Sequence, residues 1–159
     1  MYTAQLPDKG PFVIRYPRGG VVLTEWRCPL EEIKVGTGRK LKDGKDVAVL
    51  SIGPIGNDVA KSIEGLDVVH YDMRFLKPID EDILREVGEH FKRIVTVENG
   101  VKTGGLGSAV MEWMNEHGYQ REIVRLGLPD NVFVEHGTVP ELQKIVGLDS
   151  ESIIKAVTI

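Results

Sequence analysis

Short apolar runs alternate with segments of helical periodicity through most of the chain. The run at 47–53 is typical of a buried strand that ends in glycine, and a segment with one apolar helical face follows it at about 57–64. The same alternation predicts further strands at 68–71, 93–97 and 123–126, and further helices at about 81–91, after 104–108, near 140–146 and at 150–157. Strands and helices in this order predict an α/β fold, with helices on both sides of a mostly parallel sheet.

Two polar positions refine this outline. Asp80 stands directly before the helix predicted at 81–91, where it would act as the N-cap. The sequence Lys42-Asp43-Gly44-Lys45 lies between two extended segments and predicts a hairpin turn. One edge strand of the sheet is therefore expected to run antiparallel to the others.

The first 25 residues or so depart from the pattern. A helix-like start ends at Leu6-Pro7, and residues 12–16 predict a strand with no helix after it. The irregular stretch at 21–33, which contains Cys28-Pro29, predicts a linker. We therefore expect residues 1–25 to be the tail of a preceding domain with the start of a linker, and 26–159 to be the α/β domain. Met1 is then interpreted as an artificial start within a longer gene, although the first codon of a split gene would look the same.

Composition and charge narrow the classes of function. The chain is 42% hydrophobic and 28% charged, which is typical of a globular protein. The net charge is −4 with both signs interspersed, so no basic face for nucleic acid is expected. No apolar stretch has the length of a membrane helix, the N-terminus does not resemble a secretory signal, and Cys28 has no second cysteine to pair with. These features predict a cytoplasmic protein that binds neither membrane nor nucleic acid.

The sequence Arg15-Tyr16-Pro17-Arg18-Gly19-Gly20 is the most informative local motif. It places two guanidinium groups where proline and glycine turn the chain out of a predicted strand. Ligands of α/β folds bind at strand ends, and an arginine fork suits phosphate or carboxylate. Taken alone, an ion pair with a nearby acid is the favoured interpretation of Arg15, and a solvated loop position is the favoured interpretation of Arg18.

Other polar segments predict little chemistry by themselves. Glu98-Asn99-Gly100 and the glycines of the 104–108 segment could hold an anion at a helix N-terminus, but close packing of the helix start is the favoured interpretation. Asp72 and Arg74 are expected to form an internal ion pair that fixes their loop. The histidines show no metal-ligand spacing and no Ser-His arrangement, and His136 is expected to lie on a surface loop. These residues predict no reaction.

Several blocks resemble a known family. They are similar to blocks in the C-terminal region of 1-deoxy-D-xylulose-5-phosphate synthases. The blocks are the motif at 12–19, the segment Tyr71-Asp72-Met73-Arg74-Phe75-Leu76-Lys77-Pro78-Ile79-Asp80, residues 95–98 and 104–110, and the closing segments at 126–130, 137–138 and 148–149. The similarity follows the family's order and spacing over nearly the whole chain. It implies a transketolase C-terminal domain at 26–159, with a three-layer α/β/α architecture and a mixed sheet. It also implies that 1–25 is the end of a pyrimidine-binding domain.

The resemblance implies a parent activity and assigns this chain a small part of it. Synthases of this family condense pyruvate with glyceraldehyde 3-phosphate and release CO2, using thiamine diphosphate and Mg²⁺, in isoprenoid, thiamine and pyridoxal synthesis, and a homodimer is expected. Arg18 occupies the place of the arginine that contacts the substrate phosphate, and Arg15, the second candidate, is expected to support the turn. The family's Gly-Asp-Gly diphosphate motif, catalytic glutamate and catalytic histidines all lie upstream. No catalytic, cofactor-binding or metal-binding residue is therefore expected here, and the chain alone is expected to be inactive with no bound cofactor.

Two alternatives remain open. The β subunits of 2-oxoacid dehydrogenases share this C-terminal domain, although they usually lack the Arg-Tyr-Pro-Arg-Gly turn. The second alternative is a stand-alone module for dimerisation or effector binding, in which the 104–107 loop is a possible effector site. The sequence upstream of Met1 distinguishes them, because only a synthase carries the diphosphate motif on the same polypeptide.

Overall fold

The computed structural model describes residues 1–16 and 29–158. Over these residues one sheet forms, with strand order β1-β3-β2-β4-β5. The strands are β1 (Arg39–Lys42), β2 (Val47–Ile52), β3 (Val69–Asp72), β4 (Arg93–Val101) and β5 (Glu122–Leu128), and the helices are α1 (Ile55–Ser62), α2 (Glu81–His90), α3 (Leu106–Glu116), α4 (Val139–Ile145) and α5 (Ser150–Val157). β1 pairs antiparallel with β3, and the other neighbours are parallel. The predicted mixed sheet with an antiparallel edge strand is confirmed.

Helices cover both faces of the sheet. Alternate residues of β2 point to opposite sides, so Ala48 and Leu50 pack with α2 and α3, whereas Val47 and Val49 pack with α1 and α5. All four of these side chains are fully buried. A strand enclosed on both faces needs a continuous apolar run, which is why the sequence here shows no polar alternation. The three-layer α/β/α prediction is confirmed.

The predicted cap of α2 is also confirmed. The Asp80 carboxylate accepts a hydrogen bond from the Ile83 N–H at 3.0 Å and a second from the Gly38 N–H at 2.7 Å. It satisfies one of the otherwise unpaired donors of the first helical turn. The same side chain therefore fastens the segment that leads into β1.

The hairpin prediction for Lys42-Asp43-Gly44-Lys45 is wrong, because β3 lies between β1 and β2. The connection crosses the start of β3 instead of folding back on β1. The N–H groups of Lys45 and Asp46 donate to the Asp67 carbonyl at 3.2 and 3.1 Å. A Cβ on Gly44 would lie 2.1 Å from the carbonyl carbon of Val68, so only glycine allows this crossing.

The strand predicted at 12–16 does not form; these residues have no regular secondary structure. A strand requires a hydrogen-bonded neighbour, and Val13 is 100% exposed and Tyr16 71% exposed. Near the N-terminus the chain forms one 3₁₀ turn, Thr3–Gln5, and the Thr3 hydroxyl accepts from the Ile33 N–H at 2.9 Å. The domain boundary predicted near residue 25, together with Arg18 and Cys28, falls outside the described residues.

Candidate functional site

The carboxyl edge of the sheet contains a topological switch point between β2 and β4. From β2 the chain crosses through α1 to β3 on one side, and from β4 it crosses through α3 to β5 on the other side. The two loops leave these neighbouring strands in opposite directions. Ligands of open α/β sheets bind in the crevice that such a divergence creates.

The side chain of Glu98, on β4, caps the first turn of α3. This side chain is buried, and its carboxylate oxygens accept hydrogen bonds from the N–H groups of Leu106 and Gly107 at 2.9 and 3.0 Å. These donors belong to the first turn of the helix, which has no backbone acceptors of its own. A negative charge at this end also interacts favourably with the helix dipole. A strand residue thus fixes where α3 begins.

Three glycines leave room for this carboxylate and the helix start. A Cβ on Gly105 would lie 2.1 Å from Glu98 Oε2, and one on Gly100 would lie 2.8 Å from the same atom. A Cβ on Gly107 would lie 2.6 Å from Cδ of Arg125. The close-packing interpretation of this loop is confirmed. Since Glu98 already occupies the two amides, the loop does not present them to an external anion.

Asn99 connects the two sides of the switch point. Its side-chain Oδ1 accepts a hydrogen bond from the Ile55 N–H at 3.2 Å, at the start of α1. Its backbone carbonyl accepts a hydrogen bond from Nη2 of Arg15 at 2.7 Å. A bond with a charged donor at this length belongs to the stronger class of protein hydrogen bonds. Arg15 therefore docks at the edge of the sheet where a ligand crevice is expected.

Arg15 and Arg18 were the two phosphate-binding candidates predicted from the sequence, and the structure describes only the first. Arg15 lies at the switch point, in contact with Asn99, for which the sequence predicted no contact with an arginine. Arg18 lies outside the described residues, so its phosphate-binding role stays a prediction. The involvement of Asn99 was not visible in the sequence, because its contact with Arg15 uses a backbone oxygen.

The expected ion pair between Asp72 and Arg74 is wrong for the described structure. The Asp72 carboxylate pairs with the Arg39 guanidinium at 3.0 Å, directly across the β1–β3 ladder, in which these two residues are partners. Towards Arg74 the same carboxylate accepts only from the backbone N–H, at 3.2 Å. The antiparallel strand, whose position the sequence did not predict, brings in the competing cation.

A Ser-His contact that sequence reasoning missed lies inside the sheet. Ser51 Oγ and His70 Nε2 are 2.8 Å apart on the adjacent strands β2 and β3, and both residues are fully buried. Burial lowers the pKa of His70 to about 4, so the imidazole is neutral. Because both side chains are enclosed in the sheet, no substrate can reach them, and the pair has a structural role. The sequence signal that could have revealed the pair was the position of each residue, a polar side chain within an otherwise apolar run. His136, by contrast, is exposed on a loop, as predicted.

The described residues do not fit a magnesium and diphosphate site. Residues 1–16 and 29–158 contain no group of three His, Cys, Asp or Glu side chains arranged to hold a metal ion. Mg²⁺ bound to a diphosphate needs oxygen ligands such as carboxylates in an octahedral arrangement. No catalytic step through such a centre follows from these residues.

In the same part of the chain, no helix has the length and apolar character needed to cross a membrane.

Comparisons with known proteins agree with this fold. The family model "Transketolase, C-terminal domain" matches residues 36–153. The chain is 60% identical to a 1-deoxy-D-xylulose-5-phosphate synthase of Bacteroides thetaiotaomicron, with 98% of this chain and 25% of that protein aligned. It is 57% identical to the synthase of Bacteroides fragilis, with 99% and 25% aligned.

A solved structure gives the same answer. The split gene transketolase described as an inactive beta4 tetramer superposes with a TM-score of 0.72 at 33% identity, covering 80% of this chain and 43% of that one. The chain spans about a quarter of the length of the curated relatives it matches. From the matched family model, the shared fold and the aligned sequences, we conclude that the chain belongs to the transketolase C-terminal domain family.

Proposed function

We propose that the chain is the C-terminal part of a 1-deoxy-D-xylulose-5-phosphate synthase, an enzyme that condenses pyruvate with glyceraldehyde 3-phosphate and releases CO2. The observation that carries this proposal is the 60% identity to the Bacteroides thetaiotaomicron synthase over 98% of the chain. The product would supply isoprenoid, thiamine and pyridoxal synthesis. In this proposal residues 1–25 end the pyrimidine-binding domain and 26–159 form the C-terminal domain.

The role of this chain in the reaction is to hold the substrate phosphate. Arg18 is proposed to contact the phosphate of glyceraldehyde 3-phosphate, since a guanidinium offers a charged, bidentate donor that does not lose its proton. Arg15 is the second candidate and lies against Asn99 at the switch point. Two arginines three residues apart would concentrate positive charge where the substrate's anionic end must lie.

The chemistry itself is proposed to depend on parts of the protein beyond this chain. Thiamine diphosphate and Mg²⁺ would be held there, in a cytoplasmic homodimer, and this chain alone would be inactive. The split gene transketolase with the same fold is itself described as inactive. That description supports the proposal that the domain needs the remainder of the enzyme.

A hybrid enzyme tests the proposal. The N-terminal three quarters of the Bacteroides thetaiotaomicron synthase would be fused to this chain, replacing the segment that aligns with it. CO2 release from pyruvate that depends on glyceraldehyde 3-phosphate is the expected result, and the purified chain alone should show none. A hybrid that is folded and binds thiamine diphosphate but does not turn over would contradict the proposed function.

Arg18→Ala in the hybrid tests the assigned role. Loss of a charged hydrogen bond to phosphate, worth about 1.5–3 kcal/mol, should raise the KM for glyceraldehyde 3-phosphate at least tenfold and leave that for pyruvate unchanged. Arg85→Ala is the matched control, because Arg85 is a half-exposed arginine of α2 whose partner Asp82 is solvent-exposed. Equal changes in the two KM values for Arg18→Ala would count against phosphate contact.

A further inference from the structure

We infer that the carboxyl edge of the sheet binds a phosphate group in a crevice over Gly53, between the guanidinium groups of Arg15 and Arg74. The crevice lies at the switch point between β2 and β4, where open α/β sheets bind ligands. All three residues belong to the described part of the chain. The inference goes beyond the proposed synthase function, because it concerns binding by this chain itself and can be tested with inorganic phosphate alone.

The strand register brings the two arginines to the same level of the sheet. Positions 72, 51 and 97 of β3, β2 and β4 form one row of register partners. Two positions further along these chains are Arg74, Gly53 and Asn99. Neighbouring strands lie about 4.8 Å apart, so the backbones of Arg74 and Asn99 are separated by about 10 Å across Gly53. Arg15 already reaches this row, since its Nη2 donates to the Asn99 carbonyl at 2.7 Å.

Gly53 leaves the space between the two arginines open. It is exposed, and a Cβ at this position would meet no atom of the described residues within 4 Å. Its φ of 81° lies in the left-handed region, which glycine adopts without steric cost. Because no side chain covers the backbone here, an anion can approach the end of β2 while a guanidinium group contacts it from each side.

The carboxylates at the ends of β3 and β4 do not neutralise these two arginines. Asp72 pairs with the Arg39 guanidinium at 3.0 Å, and the buried Glu98 accepts from two amides of α3. Among the described residues the guanidinium of Arg74 has no hydrogen bond or ion pair, and that of Arg15 contacts a neutral carbonyl oxygen. Guanidinium groups bind phosphate through charged, bidentate hydrogen bonds, and the double negative charge of phosphate matches two of them.

Arg74 has a backbone conformation that costs stability. Its φ is 53°, and the Phe75 N–H donates across it to the Met73 carbonyl, which closes a three-residue turn with Arg74 at its centre. Turns of this kind with a positive φ are rare and strained, and arginine seldom adopts that region. Met73 is fully buried, so the core holds the turn in place. Strained residues cluster at ligand sites, and here the strain keeps an arginine at the crevice where glycine would suit the backbone better.

Titration of the 159-residue chain with inorganic phosphate, followed by the NMR shifts of its amides, tests the crevice. Saturable shifts at Gly53, Arg74 and Asn99 are expected, with a Kd on the order of 1 mM. Arg15→Ala and Arg74→Ala should each weaken binding at least about tenfold, the effect of one lost charged hydrogen bond. Arg85→Ala, at a half-exposed arginine of α2, is the control and should leave the Kd unchanged. Shifts that do not saturate, or an equal loss in the control, would overturn the inference.

Arg74→Gly separates ligand binding from a structural role. Glycine relieves the positive φ, so this variant should bind phosphate at least about tenfold more weakly and yet have a Tm about 2–4 °C above that of the parent. Arg74→Ala keeps the strain and should lose the same binding without a gain in Tm. An arginine needed only for the fold would instead lower the Tm in both variants. That result, or an unchanged phosphate affinity in Arg74→Gly, would overturn the inference.

The hybrid enzyme identifies the source of the phosphate group. If the crevice takes the phosphate of the substrate, Arg74→Ala should raise the KM for glyceraldehyde 3-phosphate at least about tenfold and leave that for pyruvate unchanged. If it takes a separate phosphorylated molecule, both KM values should stay at those of the parent, while the 159-residue chain still binds phosphate through Arg74. An inactive parent hybrid would refute the proposed function alone, because the phosphate titration does not use the reaction.

Discussion

Ser51 and His70 share a hydrogen bond of 2.8 Å, between Oγ and Nε2, in the interior of the sheet. Both side chains are fully buried, and Nδ1 of the imidazole has no protein partner among the described residues. Burial disfavours the charged imidazolium and lowers the pKa of His70 from its ordinary value of 6.5 to about 4. The fold therefore contains a histidine that must remain neutral.

This neutral histidine should make the chain lose stability in mild acid. Between pH 6.5 and about 4 the unfolded state binds a proton that the folded state does not, so stability falls as the pH decreases. The loss across that window should be on the order of 3 kcal/mol, since each pKa unit corresponds to about 1.4 kcal/mol. Urea unfolding of the 159-residue chain at pH 7.5, 6, 5 and 4 would measure it.

His70→Gln separates this contribution from other titrating groups. Glutamine preserves a polar atom near Ser51 but does not titrate, so the variant should be less stable at neutral pH and less sensitive to acid than the parent. His136→Gln, at an exposed loop position, is the control and should retain the parental pH dependence. An unchanged acid slope in His70→Gln would show that the imidazole is not the sensitive group.

Gly105 should be the least replaceable glycine of the 104–107 loop. Alanine there would place Cβ 2.1 Å from Glu98 Oε2 and 2.5 Å from the Val101 carbonyl, so the helix start or the buried carboxylate would have to move. We expect a loss of about 3 kcal/mol in unfolding free energy, at the upper end for overpacking. Gly65→Ala, where Cβ meets no atom within 4 Å, should change stability by less than about 0.5 kcal/mol. Equal stabilities of the two variants would contradict the described packing.

Local signals in the sequence predicted most of the elements. The apolar run of β2 and the acidic residue before α2 each report on interactions within a few positions, and the strand and the Asp80 cap formed as predicted. Contacts between distant segments were different. The hairpin prediction failed because strand order depends on where β3 inserts, and no residue at 42–45 encodes that partner.

In the candidate site, too, contacts between distant segments could not be predicted from the sequence. Arg15 was identified from its motif, but its acceptor is a backbone carbonyl that every residue possesses, so residue type could not select Asn99. The Asp72 ion pair was assigned to a sequence neighbour, whereas the antiparallel register supplies Arg39. Ser51 and His70 looked like isolated polar residues until adjacent strands brought them together.

Asp80→Ala should cost more than the loss of an ordinary helix cap. Asp80 serves both the Ile83 N–H of α2 and the Gly38 N–H of the segment before β1, and the second donor would be left without its acceptor. The expected loss is about 2–4 kcal/mol, the sum of a helix cap and a partly buried amide left without its acceptor. Asp149→Ala removes the cap of α5 and should cost only about 0.5–2 kcal/mol. Chemical denaturation of both variants at pH 7 would compare them, and equal losses would refute the second role of Asp80.

Glu98→Gln tests whether the buried carboxylate fixes the start of α3. An amide has one acceptor oxygen, so only one of the N–H groups of Leu106 and Gly107 can keep its partner, and the other would face an NH2 donor. The expected loss is about 1–3 kcal/mol, the cost of a buried group left unsatisfied. In combination with Gly105→Ala the losses should not add, because the alanine already displaces the same carboxylate. Hydrogen exchange should show faster exchange at Leu106 and Gly107 in the variant. Full additivity, with unchanged exchange at these amides, would mean that α3 begins there for reasons other than Glu98.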